Sequence, residues 1–151
     1  MRTRVTLCLV ALLLVTSCGL GDGPGEPFLA LLTGANELPP TGGSASGQAS
    51  FKHHGSVIDY SITVQFIAQV KTAAIYAGAD TTGAKIADLY TGPVSGTITS
   101  GVLAAGTLGA ASFGAISLDS ALVLMRKGLA FVNVTTTALP SGEIRGQIYP
   151  N

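Results

Sequence analysis

Apolar and polar residues alternate along much of the chain after residue 28, and the alternation is clearest at 57–66. Within that stretch the residues between the apolar ones are Asp, Ser, Thr and Gln. The apolar positions are Ile58, Tyr60, Ile62, Val64 and Phe66. A period of two predicts a half-buried β-strand, because successive side chains of a strand point to opposite faces of its sheet.

Other short runs, some alternating and some continuously apolar, predict further strands. They lie at 28–33, 44–52, 72–77, 85–90, 94–99, 129–136 and 143–149. Small and polar residues alternate in 44–52, which is typical of an edge or solvent-facing strand. Glycine-containing turns separate the runs at intervals of about 8–12 residues, a spacing typical of sandwiches and barrels. We therefore expect an all-β, Greek-key-like β-sandwich of about seven to nine strands.

One segment, 117–127, has helical rather than strand periodicity. Leu118, Ala121, Leu122 and Met125 fall on one face of a helix, and Ser117 or Asp119 can cap its start. The segment ends in two cations and is followed by a glycine, both of which are helix stop signals. These features predict one short helix that crosses over or covers the sheet.

The start of the chain has a different pattern. A cationic tetrapeptide precedes an apolar run at 5–15, and small residues lead from it into Cys18. The run is too short to span a bilayer, which takes about 20 residues, and it has the form of a signal peptide. The pattern predicts a bacterial lipoprotein signal (1–17) that is removed to leave an acylated Cys18. Since three acyl chains hold far more tightly than one, the membrane is the first expected partner. An ordinary secreted protein with a chance cysteine is the alternative.

Composition limits what the processed chain can do. A Gly- and Pro-rich linker follows the lipid site within 18–27, and 28–151 is one domain's worth of residues. Of eight basic residues, Arg2 and Arg4 leave with the signal, so six remain against eight acidic ones and the formal charge becomes −2. We expect no nucleic-acid binding from so few charges. Cys8 and Cys18 are the only cysteines, so no thiol remains for a disulfide, a nucleophile or a metal.

The candidate site residues are few. His53 and His54 are adjacent, and neighbouring residues of a strand point to opposite faces, so we expect a solvated hairpin end rather than a metal site. Glu143 and Arg145 lie two residues apart in the last predicted strand and hence on one face. They are expected to form an ion pair or a charge network with Glu37; a recognition patch is the alternative.

Three segments together resemble the CHRD domain, a family named for its occurrence in chordin. They are GANELPP at 34–40, FVNVTT at 131–136 and PSGEIRGQI at 140–148. The resemblance covers about residues 28–149. It implies a compact β-sandwich similar to immunoglobulin-like or copper-zinc superoxide dismutase-like architectures.

Members of this family commonly carry histidines in an AHIH motif and in a VNVHT motif. The corresponding segments here are AAIY at 73–76 and VNVTT at 132–136, and neither contains histidine. We therefore expect no metal, no cofactor and no enzymatic activity, and a binding or structural module whose partner is an envelope protein or another extracellular ligand. A metal-binding or redox protein of dismutase-like architecture is the alternative.

The predicted location is the bacterial cell envelope. Gly19 follows the lipidated cysteine, whereas an aspartate there retains lipoproteins in the inner membrane of enteric-type bacteria. An outer membrane, where there are two membranes, is therefore the expected site. With a single membrane, the domain is expected on its outer face.

Overall fold

A computed structural model describes residues 25–79, 83–94, 96 and 99–151. The predicted signal, Cys18 and most of the predicted linker lie outside these residues. The described part is all-β with one short α-helix, as the sequence predicts.

The strands are β1 (Glu26–Thr33), β2 (Ser46–His54), β3 (Val57–Ile67), β4 (Val70–Ala77), β5 (Lys85–Tyr90), β6 (Thr99–Leu108), β7 (Ala130–Thr136), β8 (Ile144–Gln147) and β9 (Tyr149–Pro150). The helix α1 spans Leu118–Arg126.

The strands form one antiparallel sheet that nearly closes on itself. Its order is β5-β4-β7-β8-β1-β2-β3-β6, and β9 also pairs with β1. The two ends of the sheet approach each other, since β5 contacts β6. In addition, the Tyr60 hydroxyl of β3 donates to the Leu89 carbonyl of β5 at 2.8 Å, and Ala87 of β5 bridges Phe113, beyond β6. The inner face of the curled sheet encloses the core.

Most of the side chains that the periodicity of 57–66 predicts to be buried lie in the core. Ile58, Ile62 and Val64 are fully buried, and β1 likewise turns Phe28 and Leu32 inward. Each such side chain contributes about 1.5–3 kcal/mol when it leaves water.

The predicted helix is confirmed. Ser117 caps it, its side chain accepting from the Ser120 amide at 3.1 Å, and Gly128 follows it with a φ of +64°. Its apolar face, including Leu122 and Met125, packs into the core. Helix α1 therefore helps to fill the interior of the curled sheet.

Phe66 departs from the predicted alternation. It lies at a register shift between β3 and β6, has a φ of +55°, and is 65% exposed, while Ile67 is buried. The extra residue turns Phe66 away from the core and Ile67 into it. The prediction that Phe66 belongs to the buried face is therefore wrong.

Three strand predictions also differ from the structure. Segment 44–52 is not an edge, because β2 lies between β1 and β3 and buries Ala49 and Phe51. The strand predicted at 94–99 begins at Thr99 and runs to Leu108; 95, 97 and 98 lie outside the described residues. The last predicted strand is split into β8, which pairs mainly with β7, and β9, which pairs with β1.

Candidate functional site

The three family-like segments of the sequence lie next to one another in the structure. We call the place where they meet, formed by residues 34–41, β7 and residues 140–147, the seam. The first forms a 3₁₀ turn, Gly34–Asn36, and a loop that continues to residue 41, directly after β1. The second is β7, and the third contains β8, which pairs with β7. Two hydrogen bonds attach the loop to the third segment: Asn36 Nδ2 to the Arg145 carbonyl at 3.1 Å, and Thr41 Oγ1 to the Glu143 carbonyl at 2.8 Å. Loop 34–41 is thus fixed to β8 through backbone acceptors.

The backbone conformation and the packing at Gly142, directly before Glu143, require glycine. Its φ is +147°, and a Cβ there would lie 2.5 Å from Glu37 Oε1 and 2.7 Å from both polar side-chain atoms of Asn133. No side chain fits between loop 34–41 and β7 at this point, and an L-residue would also be strained.

Glu37, one of the predicted site residues, is buried at this seam. It is only 6% exposed, and its Oε1 has no hydrogen-bond partner. Burial raises the pKa of the carboxyl to about 7, although the nearby Arg145 guanidinium acts to lower it. The anionic form of Glu37 is therefore less favoured here than it is in water.

Glu143 does not share the environment of Arg145. It lies just before β8, and its carboxylate accepts from Thr136 Oγ1 at 2.7 Å. Within the described residues, no ion pair joins Arg145 to Glu37 or to Glu143. The predicted link between the early loop and the last strand exists, but Asn36 and Thr41 make its hydrogen bonds.

Arg145 is buried against an aromatic stack on the outer face of the sheet. Its guanidinium lies 3.6 Å from the centroid of the Phe131 ring, which stacks on Tyr76 with centroids 5.4 Å apart. Its Nη2 also donates to the Ala79 carbonyl at 3.2 Å. A planar cation over an aromatic face is a stabilising arrangement, and it holds Arg145 in one orientation.

Beside this stack a cleft of about 660 Å³ opens on the outer face. We call it the β1/β9 cleft; its lining residues are Leu29, Leu31, Asn36, Leu38, Ala79, Arg145, Gln147, Tyr149, Pro150 and Asn151. Leu31, Leu38 and Tyr149 are each more than half exposed. A concave, mostly apolar cleft with a few polar groups is the usual form of a ligand site.

Sequence reasoning identified Arg145 but missed the apolar wall of this cleft. The signal was present in 28–33, where the apolar residues run continuously instead of alternating. In an antiparallel strand, a continuous run leaves one apolar row outside the core, and here that row contains Leu29 and Leu31.

The β1/β9 cleft combines an apolar wall with a few fixed polar groups. Its lining side chains, all within the described part of the chain, include no Ser, Cys, His, Asp or Glu. Gln147 is held in place, since its Nε2 donates to the carbonyls of Gly78 and Gly128 at 2.8 and 2.7 Å. The site therefore offers a rigid polar edge beside an apolar wall.

The histidines lie at the β2–β3 hairpin, away from the cleft. His54 Nε2 lies 2.7 Å from Asp59 Oδ2, and His53 Nε2 lies 3.0 Å from the Gly55 carbonyl. Among the described residues, no cluster of three or more His, Cys, Asp or Glu side chains could hold a metal ion. The predicted hairpin position of both histidines is confirmed.

Cys18, the predicted lipidation site, lies outside the described residues, so the structure gives it no surroundings. No helix in the described ranges is long and apolar enough to cross a membrane.

Comparison with known proteins gives one match. The family model of the CHRD domain matches residues 28–148, which is most of the chain and includes the whole of the seam described above. No curated protein and no solved structure matches the chain.

Proposed function

The chain belongs to the CHRD domain family, and we propose that it is a lipid-anchored, non-enzymatic binding module of the bacterial envelope. The domain would be held at the membrane by acylated Cys18 and would bind an extracytoplasmic ligand in the β1/β9 cleft. The observation that carries the binding role is the cleft itself, with exposed Leu31, Leu38 and Tyr149 beside the fixed polar groups of Arg145 and Gln147.

Exposed leucine and tyrosine side chains support a binding role because they gather at one concave place. Leu31 is 60%, Leu38 56% and Tyr149 57% exposed, and all three line the cleft. Scattered apolar residues on a surface are ordinary, whereas a contiguous group rimmed by polar residues marks an interaction site.

The anchor rests on the sequence alone. The cationic start, the short apolar run and the small residues before Cys18 favour acylation of that cysteine. The linker after Cys18 is rich in glycine and leads into β1, so the domain would be attached by a flexible tether.

Binding in the cleft can be tested with anilinonaphthalene sulfonate, an apolar dye whose fluorescence rises in apolar sites. Leu31→Asp should abolish the fluorescence increase, because it places a charge in the apolar wall. Val102→Asp is the matched control, since Val102 on β6 is 65% exposed and does not line the cleft. Equal dye binding by the parent and both variants would contradict the cleft as the binding site.

The anchor has its own test. Cys18→Ser should leave an uncut precursor or release the protein from the membrane fraction, because acylation needs the thiol. A Cys18→Ser protein that is processed, acylated and membrane-bound like the parent would overturn the lipoprotein assignment.

Metal analysis of the purified protein tests the alternative of a metal-binding or redox protein. That alternative requires stoichiometric copper or zinc.

A further inference from the structure

Two buried oxygen atoms without donors meet at the seam. They are Glu37 Oε1 and Asn133 Oδ1, and both lie within 2.7 Å of the position that a Cβ on Gly142 would take. The orientation of the Asn133 amide is fixed, because its Nδ2 donates to the Ser141 carbonyl at 3.1 Å. Both atoms are buried acceptors near one point of the seam, and a buried acceptor left without a donor is unfavourable.

One proton satisfies both atoms. We propose that Glu37 is held as the carboxylic acid and donates to Asn133 Oδ1, forming a latch between loop 34–41 and β7 that loosens when the proton is lost. The carboxylic acid has a single O–H donor, and Asn133 Oδ1 is the buried acceptor still without a donor. Among the described residues, no hydrogen bond joins segments 34–40 and 131–136 directly, and the latch would join them.

The electrostatic surroundings of Glu37 favour the protonated form. The charged groups on the elements packed against it are Arg145 of β8 and Glu143 just before β8, whose carboxylate is engaged by Thr136. β7 and the following segment 137–142 contain no titratable side chain. Burial outweighs the attraction of Arg145 and raises the pKa of Glu37 to about 7, so the latch would open close to neutral pH.

The latch has a functional consequence that rests on the proposed binding role of the cleft. Asn36 and Leu38 flank Glu37 in the chain, and both line the β1/β9 cleft. A buried charge without a partner at Glu37 favours conformations in which water reaches the carboxylate. Loss of the proton would therefore loosen one wall of the cleft, while Asn36 and Thr41 keep loop 34–41 attached to β8.

The direction of the pH dependence follows from the raised pKa. Between the ordinary value of 4.5 and about 7, the folded state binds more protons at Glu37 than the unfolded state does. Stability must therefore fall as the pH rises through this range. The folding equilibrium constant is expected to fall by up to about two orders of magnitude.

Urea denaturation of the full chain in mild detergent, between pH 5 and pH 8.5, tests the latch. The parent midpoint should fall across this range, whereas Glu37→Gln should give a flatter profile and a higher midpoint above pH 7. The glutamine amide keeps a donor for Asn133 Oδ1 and cannot ionise. The two chains differ only at position 37, so the difference between their profiles isolates the effect of that residue.

Glu143→Gln is the matched control, because it removes a carboxylate at the same seam and should keep the pH slope of the parent. Amide hydrogen exchange, corrected for its intrinsic pH dependence, supplies the second readout. Exchange in loop 34–41 should accelerate above pH 7 in the parent and not in Glu37→Gln.

Each result separates the latch from the binding role. A parent midpoint that does not fall, or a slope that persists in Glu37→Gln, would overturn the latch whatever the dye experiment shows. Unchanged exchange of loop 34–41 would overturn its connection to the cleft wall. Failure of Leu31→Asp to alter dye binding would overturn the cleft and leave the latch standing.

Discussion

Two glutamates of this domain each have an arginine nearby, but their surroundings shift the pKa of the two carboxyl groups in opposite directions. Glu26, at the start of β1, accepts two hydrogen bonds from Arg126 Nε, at 2.9 and 3.1 Å, and one from Nη2 at 2.5 Å. Its side chain is one-third exposed, and the hydrogen bonds with Arg126 lower its pKa. Glu37 is almost completely buried, and burial raises its pKa in spite of Arg145.

The close ion pair, Glu26–Arg126, therefore lies where it matters less to the fold. Water screens the Glu26–Arg126 pair, so its close geometry contributes little. At the seam the polar atoms are buried. A missing hydrogen-bond donor or an added side-chain atom there is expected to lower the free energy of unfolding strongly. We therefore expect the seam to be far more sensitive to substitution than the surface pair.

The largest expected effect is that of Gly142→Ala. The new Cβ would collide with Glu37 and Asn133, and alanine is strained at a φ of +147°. We expect a loss of roughly 2–4 kcal/mol in the free energy of unfolding, measured by urea denaturation. Gly114→Ala is the control, because a Cβ there meets nothing within 4 Å. Equal losses in both variants would show that the seam is not the sensitive region.

Arg145→Ala should have the next largest effect. It removes the guanidinium from the face of Phe131 and from the Ala79 carbonyl, for an expected loss on the order of 1–3 kcal/mol. It should also raise the pKa of Glu37 further, because Arg145 acts to lower it. A urea midpoint equal to that of the parent would instead favour Arg145 as a recognition residue on the surface of the cleft.

The elements that the sequence predicts well are those whose pattern is local. The alternation at 57–64 and the cap, cations and glycine around α1 are each contained within about a dozen residues. β6 was missed because TSGVLAAGTL has glycine and alanine where a strand usually carries β-branched side chains. The bulge at Phe66 was missed because a shift of register depends on the partner strand.

The seam could be predicted only in part. The spacing of Glu143 and Arg145 predicts a charge network with Glu37, but the hydrogen bond of Asn36 to the Arg145 carbonyl spans 109 positions of the chain. Which side chain meets which acceptor depends on the order of β7, β8 and β1 in the sheet, and no local periodicity contains that order. The unpartnered oxygens of Glu37 and Asn133 arise from this packing, so no sequence pattern predicts them.

The smallest expected effect is that of Arg126→Ala on the surface pair. An exposed ion pair usually contributes under about 1 kcal/mol, so the urea midpoint at neutral pH should move little, and the difference should shrink further in high salt.

The pH dependence of the surface pair's contribution to stability is the opposite of that at the seam. Because the pKa of Glu26 is lowered, the pair stabilises the fold above the ordinary carboxyl value of 4.5, and this contribution is lost as the pH falls below it. Parent and Arg126→Ala should therefore converge in acid, whereas parent and Glu37→Gln should diverge as the pH rises. If Arg126→Ala cost as much as Gly142→Ala, the surface pair would be as important as the seam, and the contrast between the two glutamates would fail.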